Sequence, residues 1–528
     1  MYKNLPYILL LLLVILMGIT FFLFAQRTPD ISDTIGYIYA AERLAEGHGL
    51  TYEDLHNAMS ESYFSMYAFQ IRRPPDLRMY LGFPPGFPLL LALGLWLTGQ
   101  ATVVHFVVPF LAVIGLVAAF VLGRLVTDDA WVGVWTAVLL ALSPAYWQFG
   151  TAAWSEIPAM VCITGGVIFY LLSRQERLPL WQQFLFSIIG AGLLGYSLFI
   201  RYANITFFVA VGLYELATAY KKLLIEWERW PFFILLATSV GAVLLFNQVY
   251  YGGPTLTSYN PAHGWYPQPA FSLAYALGPS FVNGYSLREG LETLWANFPV
   301  LLLLVPVGWW FLKRQYAILI AAATIGTIAL YSVYAFAPAK INARFLLPIF
   351  PFVSIAIAQA LVTLTRKLPN PTWHWVGGIV LLFLLLLPVP DQTDDLQMRN
   401  QQSAEMVNRI QNMTAFSSAD AVFMSYTFND PIAYYGDRSV LNYRRIPPSD
   451  AAAGIYLLDW LEPCLTFTVD QLLAADTPVY YIEDTSPPFW GSLEILQTHF
   501  QLELVKEGPK IYQVQAAQER ERPFSCPP

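Results

Sequence analysis

The sequence predicts a polytopic α-helical membrane protein of about 11 transmembrane helices, followed by a C-terminal extracytoplasmic α/β domain. Three observations predict this. Of 528 residues, 56% are apolar, 16% aromatic and only 12% charged, with a mean hydropathy of +0.49. A soluble protein carries about 25% charged residues. Apolar runs of membrane-spanning length recur over residues 1–390. Charge is also uneven: from Asp391 onward there are 19 acidic and 9 basic residues, so a chain of net charge −7 has a tail near −10 and a body near +3. That asymmetry marks an acidic soluble part on a mildly basic membrane body.

The first run, Leu5 to Ala25, is followed by Gln26-Arg27 and has no small-residue cleavage site, so it reads as a retained span rather than a signal peptide. With it, spans are expected at 6–25, 103–126, 130–148, 156–173, 181–199, 204–220, 231–250, 295–312, 315–336, 345–365 and 372–389. Pro85 to Leu97 is too short to cross and opens on two prolines and a glycine; an interfacial or re-entrant helix is expected there. With Lys3 inside, Arg124, Arg174, Arg177, Lys221, Lys222, Arg229, Lys313, Arg314, Arg366 and Lys367 also fall inside. The N-terminus is then cytoplasmic, and 27–102, 251–294 and the tail lie outside. The domain expectation is a membrane body at 1–390 and a soluble domain at 391–528.

The tail alternates strand-like runs ("AVFMSY", "SVLNY", "PVYYIE", "LELVKE", "IYQVQ") with helical ones, including Asp394 to Met413. It has neither a Gly-rich phosphate loop nor a metal-ligand cluster. Cys464 and Cys526 can pair if this region is extracytoplasmic, and Cys162 is a packing residue in an apolar run.

Several charges break the pattern. Arg201 in "LFIRYANITFF" and Arg344 in "AKINARFLLPIF" lie at the outer ends of spans, with Lys340 one turn before Arg344. Each alone is explained as well by snorkelling or a structural ion pair with an outer acid as by a functional role. Two on one side suit an anion, because guanidinium holds phosphate bidentately. Glu156, beside Ser155 in "GTAAWSEIPAM", reads either as a helix N-terminal acid or as a carboxylate facing the outer cavity. The stretch "DTIGYIYAAERLAEGHG" forms an amphipathic helix with Asp33 in its first turn, Tyr37 on the same face and Gly47 and Gly49 as its stop. Asp30 and Asp33 follow the first span directly, where a carboxylate can take a proton from a hydroxyl.

Taken in order, "DTIGY", "ERLAEGHGL", "LGFPPGFPLLLAL", "SPAYWQFGTAAWSEIPAM" and "ARFLLPIFPF" resemble stretches of the GT-C class of polyprenyl-phosphate-sugar glycosyltransferases. The resemblance is closest to the protein O-mannosyltransferase and aminoarabinose-transferase group and covers about residues 1–390. It implies a multi-pass cell-envelope enzyme, in a bacterial plasma membrane. The enzyme would move a sugar from a polyprenyl-phosphate donor to a hydroxyl of a glycan, lipid or protein acceptor, on the extracytoplasmic side and with inversion. The resemblance maps the acid to Asp33, with Asp30 its competitor, and a second acid to Glu156. Arg201, Arg344 and Lys340 would meet the donor phosphate, and Tyr37 would lie beside the acid. Where some members carry a lysine before the paired prolines, this chain has Phe83. No cofactor is required, since the arginines do a cation's work on phosphate, although a divalent cation fits if Asp30, Asp33 and Glu156 converge. The Gly-, Pro- and aromatic-rich loop 251–294 suits a lid over a sugar. Its His263 is either a second acid or base or an ordinary loop histidine. A lipid-linked-sugar transporter and a non-catalytic assembly subunit are the rival readings. A transporter should show internal repeats and broken helices near the midplane, and neither is evident in the sequence.

Overall fold

In a computed structural model, the hydropathy pattern becomes helices. The structure describes residues 4–60, 64–73, 76–257, 271–278, 286–334, 340–367, 386, 389–425, 428–441, 456–483 and 492–516. The helices of the first part are α1 (Leu5–Leu23), α2 (Ser32–Ala45), α3 (Asn57–Ser60), α4 (Gly86–Thr98), α5 (Val104–Thr127), α6 (Ala130–Ala141), α7 (Pro144–Gly150) and α8 (Glu156–Ser173). They continue with α9 (Leu180–Ile200), α10 (Ile205–Ile225), α11 (Trp230–Tyr251), α12 (Ala274–Leu277), α13 (Ser286–Asn297), α14 (Val305–Phe311), α15 (Arg314–Ser332) and α16 (Phe350–Arg366).

Eight helices among the described residues are long and apolar enough to cross a membrane, and two bent pairs raise the count to ten. The protein is an integral membrane protein. The expected span at 372–389 lies almost wholly outside the described residues. The short helix α4 has 13 residues, a rise of about 20 Å against a hydrocarbon core of about 30 Å, as expected for a non-crossing segment.

Two expected spans are bent rather than straight. The run 130–148 is broken into α6 and α7 at 68°, and the run 295–312 is broken between α13 and α14 at 101°. Each break has a proline. Pro144 opens α7, where its missing N–H costs nothing, whereas inside one continuous helix it would remove a bond. After Pro299, Val300 takes φ 59°, a conformation that a β-branched residue adopts only under strain. One side chain stitches the breaks together: Asn297 Oδ1 accepts from Ser143 Oγ and from the Ala145 N–H, both at 2.9 Å.

Close helix packing comes from small residues. A Cβ on Gly190 of α9 would lie 2.9 Å from the Tyr170 nitrogen of α8, and one on Gly166 would lie 2.6 Å from Leu194. Such glycines let membrane helices approach backbone to backbone.

The chain divides into two units. The first takes residues 1–27, 84–245 and 271–400; the second takes 28–83, 246–270 and 401–528. The sequence expectation placed one boundary at 390, whereas the structure groups the first outer loop with the tail. The reason lies in the core of the second unit. Phe64 of the loop is fully buried among Val422, Met424, Leu441, Val469 and Val479, and its backbone bridges Leu441.

In the second unit, β1 (Thr51–Tyr52), β2 (Phe69–Arg73) and β3 (Asp76–Leu81) form an antiparallel sheet in the order β1-β3-β2. The tail supplies β4 (Val422–Met424), β5 (Ser439–Val440), β6 (Val479–Ile482), β7 (Phe500–Glu507) and β8 (Lys510–Ala516), in the order β5-β4-β6-β8-β7. Strands β5, β4 and β6 are parallel, and β8 and β7 add an antiparallel hairpin. The five strands expected in the tail are all present. Helix α2 ends where Gly47 and Gly49 take φ 85° and 75°. It lies so close to the following segment that a Cβ on Gly36 would sit 2.1 Å from that of Ala68.

Candidate anion-binding site

Three elements of the first unit deliver charge to one place. Glu156 is the first residue of α8, where the positive end of the helix dipole favours a carboxylate. Arg201 closes α9 in extended backbone, φ −152° and ψ 121°. The turn that follows is fixed by Asn204, whose side chain donates to the Ser197 carbonyl at 2.8 Å and whose N–H donates to the Arg201 carbonyl at 3.1 Å. Arg344 lies on a ten-residue 3₁₀ helix, Lys340–Ile349, ahead of α16. Runs of that length are uncommon and mark constrained sequence.

The "PPG" stretch supports Arg201 from below. Gly86 opens α4 against the end of α9, and a Cβ there would stand 2.7 Å from the Ile200 nitrogen. Tyr196 Oη donates to the Gly86 carbonyl at 2.7 Å. Only glycine permits that approach.

Glu156 is fully buried. Its Oε1 accepts from Arg201 Nη1 and lies 3.8 Å from Arg344 Nε. Its Oε2 has no hydrogen-bond partner among the described residues. Arg201 also donates to Ser155 Oγ at 3.3 Å and to Tyr331 Oη at 3.4 Å. Both guanidiniums stand over Phe345, with Cζ to ring centroid 5.1 Å for Arg201 and 5.2 Å for Arg344. Arg344 stands over Trp154 as well, at 4.7 Å. Tyr331 stacks on Phe345 at 5.1 Å and 5°. The arginine side chains are 15% and 19% exposed while the carboxylate is 1% exposed, so what the cluster exposes is guanidinium. It can bind an anion, with an aromatic wall beside it.

The structure therefore brings Glu156, Arg201 and Arg344 together. Lys340 begins the same 3₁₀ helix as Arg344. Asp30, Asp33 and Tyr37 belong to the second unit. Asp33 is half-buried in the first turn of α2. Tyr37 is buried with its ring 4.9 Å from that of Phe83, the residue standing where the resemblance expects a lysine. Asp30 Oδ2 accepts from Ser403 Oγ at 2.9 Å. His263 lies outside the described residues. No group of three or more metal-ligating side chains gathers among the described residues.

Sequence reasoning missed Trp154, Tyr331 and Phe345. The available signal was adjacency, since Trp154 and Phe345 flank the charged residues it did find. A second buried cluster was also missed, at the far end of α8, about 27 Å away by helix rise. There Glu215 accepts from Arg229 Nη1 at 2.6 Å and from Tyr170 Oη, with Arg174 Nε at 3.6 Å. Its signal was a lone acid in "VGLYELATAY". This cluster ties α8, α10 and the start of α11.

The fold is GT-C-like. ArnT from Cupriavidus metallidurans, solved with undecaprenyl phosphate, superposes with a TM-score of 0.57 at 12% identity, over 96% of this chain and 97% of its own. The oligosaccharyltransferase of Archaeoglobus fulgidus, tethered to an acceptor peptide, superposes with a TM-score of 0.58 at 14% identity, over 98% of this chain and 74% of its own. The archaeal oligosaccharyltransferase AglB from Archaeoglobus fulgidus, in complex with an inhibitory peptide and a dolichol-phosphate, gives a TM-score of 0.51 at 12% identity, over 96% and 74%. No protein-family model matches the sequence, and no curated protein matches it.

Proposed function

We propose that the protein is a membrane glycosyltransferase that moves a sugar from a polyprenyl-phosphate donor to an acceptor hydroxyl, with inversion. The observation that carries this reading is the pair of partly exposed guanidiniums gathered around the buried Glu156, in a fold shared with proteins solved with undecaprenyl phosphate and dolichol-phosphate. A lipid phosphate is the anion that such a fold would meet. The lysine and arginine distribution favours an N-terminus inside and a tail outside, in a bacterial plasma membrane, which sets the reaction on the extracytoplasmic side.

In the proposed step, the acceptor oxygen attacks the anomeric carbon and the bond from that carbon to the phosphate oxygen breaks. The hydroxyl proton goes to Asp33 as general base, an effect worth about 10²–10⁴ in rate. The leaving electron pair stays on the polyprenyl phosphate. Arg344 and Arg201 stabilise that charge, and they do so most strongly where water is excluded. Glu156 holds the two guanidiniums side by side against their mutual repulsion. The rings of Trp154, Tyr331 and Phe345 suit stacking on a sugar. A single displacement inverts the anomeric centre.

Binding of polyprenyl phosphate, followed by native mass spectrometry in detergent, tests the anion assignment. Arg344→Ala and Arg201→Ala should each weaken it by about tenfold or more, about 1.4 kcal/mol each. Unchanged binding in both variants would remove the assignment.

A further inference from the structure

We propose that the tail positions the helix that carries Asp33, and that Ser403, Tyr434 and Tyr435 are its positioning residues. The inference rests on the reading of Asp33 as general base. It gives the C-terminal part a role in the reaction that its own strands and helices do not announce.

The contacts lie wholly within the second unit. Three side chains of the tail attach to the segment around Asp33. Tyr435 Oη donates to the Pro29 carbonyl at 2.7 Å, Ser403 Oγ donates to Asp30 Oδ2 at 2.9 Å, and Tyr434 Oη donates to Glu42 Oε1 at 2.9 Å. The first two bonds hold the chain just before α2. The third holds α2 nine residues beyond Asp33, about two and a half turns along. Anchors on both sides fix the helix in rotation as well as translation, and Asp33 cannot shift without straining one of them.

The anchors are built rather than incidental. Ser403 is fully buried. Tyr434 and Tyr435 pack with Ala433 and Tyr39 onto the core formed by Ile35, Ala40, Leu50 and Phe69. Burial pushes both phenols far above their ordinary range, so they remain hydrogen-bond donors at every working pH. Beneath them, Asp430 is 2% exposed and its Oδ1 accepts from the Tyr67 N–H at 2.6 Å. That bond is a further link between the tail and the loop. Displacing a reacting group by about 1 Å can cost about 100-fold in rate, so a support of this kind matters to turnover.

The test uses the full-length protein in detergent or nanodiscs, with release of polyprenyl phosphate from a polyprenyl-phosphate sugar as readout. Ser403→Ala, Tyr434→Phe and Tyr435→Phe should each lower kcat by about tenfold, with KM for the donor within about twofold and the melting temperature within a few degrees of wild type. Glu42→Gln keeps an acceptor for Tyr434 and should lose far less than Glu42→Ala. The double variant Tyr434→Phe/Glu42→Ala should be no worse than either single change, because both remove one bond. Variants that melt earlier yet keep wild-type kcat per folded molecule would make the tail structural only and overturn the inference. Asp33→Asn is run in parallel. An inactive Asp33→Asn beside tail variants of wild-type kcat overturns this inference alone, while an Asp33→Asn that turns over like wild type overturns the base assignment and this inference with it.

Discussion

Glu156 shows how a membrane protein keeps two arginines adjacent. A buried carboxylate is costly by itself, and so is each guanidinium, but removing one member of such a set leaves uncompensated charge and typically costs about 3–5 kcal/mol. Glu156→Gln should therefore lower thermal stability by about that much and splay the two guanidiniums. A melting temperature equal to wild type would show that the ion pairs contribute nothing. Glu42 makes the opposite argument. Burial raises its carboxyl above the ordinary value, with Tyr434 opposing the shift and Glu46 adding to it. A raised carboxyl contributes stability that is complete below the unfolded-state value, near pH 4.3, and is lost as pH rises through the folded value. Glu42→Gln should thus match wild type in acid and become the more stable of the two toward about pH 7. A melting-temperature difference that stays flat across that range would contradict it. Among single residues the sequence drew attention to the charges but not to the rings beside them. An arginine at the outer end of a span breaks a rule and is visible, whereas Trp154, Tyr331 and Phe345 look like every other aromatic in a chain that is 16% aromatic.

At the scale of elements, hydropathy and turn chemistry located the helices well. Helix α2, its two terminal glycines and the short α4 were all readable, because each depends on local sequence. The two bends were not read, although Pro144 and Pro299 stood in plain view. Mean hydropathy over a window is blind to direction, and prolines are tolerated in membrane helices when a neighbour satisfies the freed groups. Here the neighbour is Asn297. Asn297→Leu leaves Ser143 Oγ and the Ala145 N–H without their acceptor and should cost about 1–3 kcal/mol, measured as a fall in melting temperature. The contact between α4 and α9 makes a second prediction. Gly86→Ala places a methyl against the Phe199–Ile200 backbone, 2.7 Å from its nearest atoms, and must push the end of α9 and Arg201 with it. Polyprenyl-phosphate binding should weaken in that variant. Unchanged binding would mean that α4 does not set the position of Arg201.

For the whole molecule, the sequence revealed a membrane body and an acidic α/β tail but not how the chain groups them. Residues 28–83 fold with the tail through bonds such as Ser403 to Asp30 and Tyr434 to Glu42, which span more than 370 positions. No periodicity records such pairings, and serine, tyrosine and glutamate are ordinary surface residues until their partners are known. The same holds for Glu156, Arg201 and Arg344, which the sequence placed on one side of the membrane without showing that they touch. What unites the account is transfer of a sugar from a polyprenyl phosphate with the arginines on the leaving group and Asp33 on the acceptor. The most direct measurement supplies the purified protein with a panel of polyprenyl-phosphate sugars and an acceptor extract, and follows free polyprenyl phosphate. Wild type should release it from at least one donor, with Asp33→Asn and Arg344→Ala slowed by about 100-fold or more. Release by both variants at the wild-type rate would contradict the account.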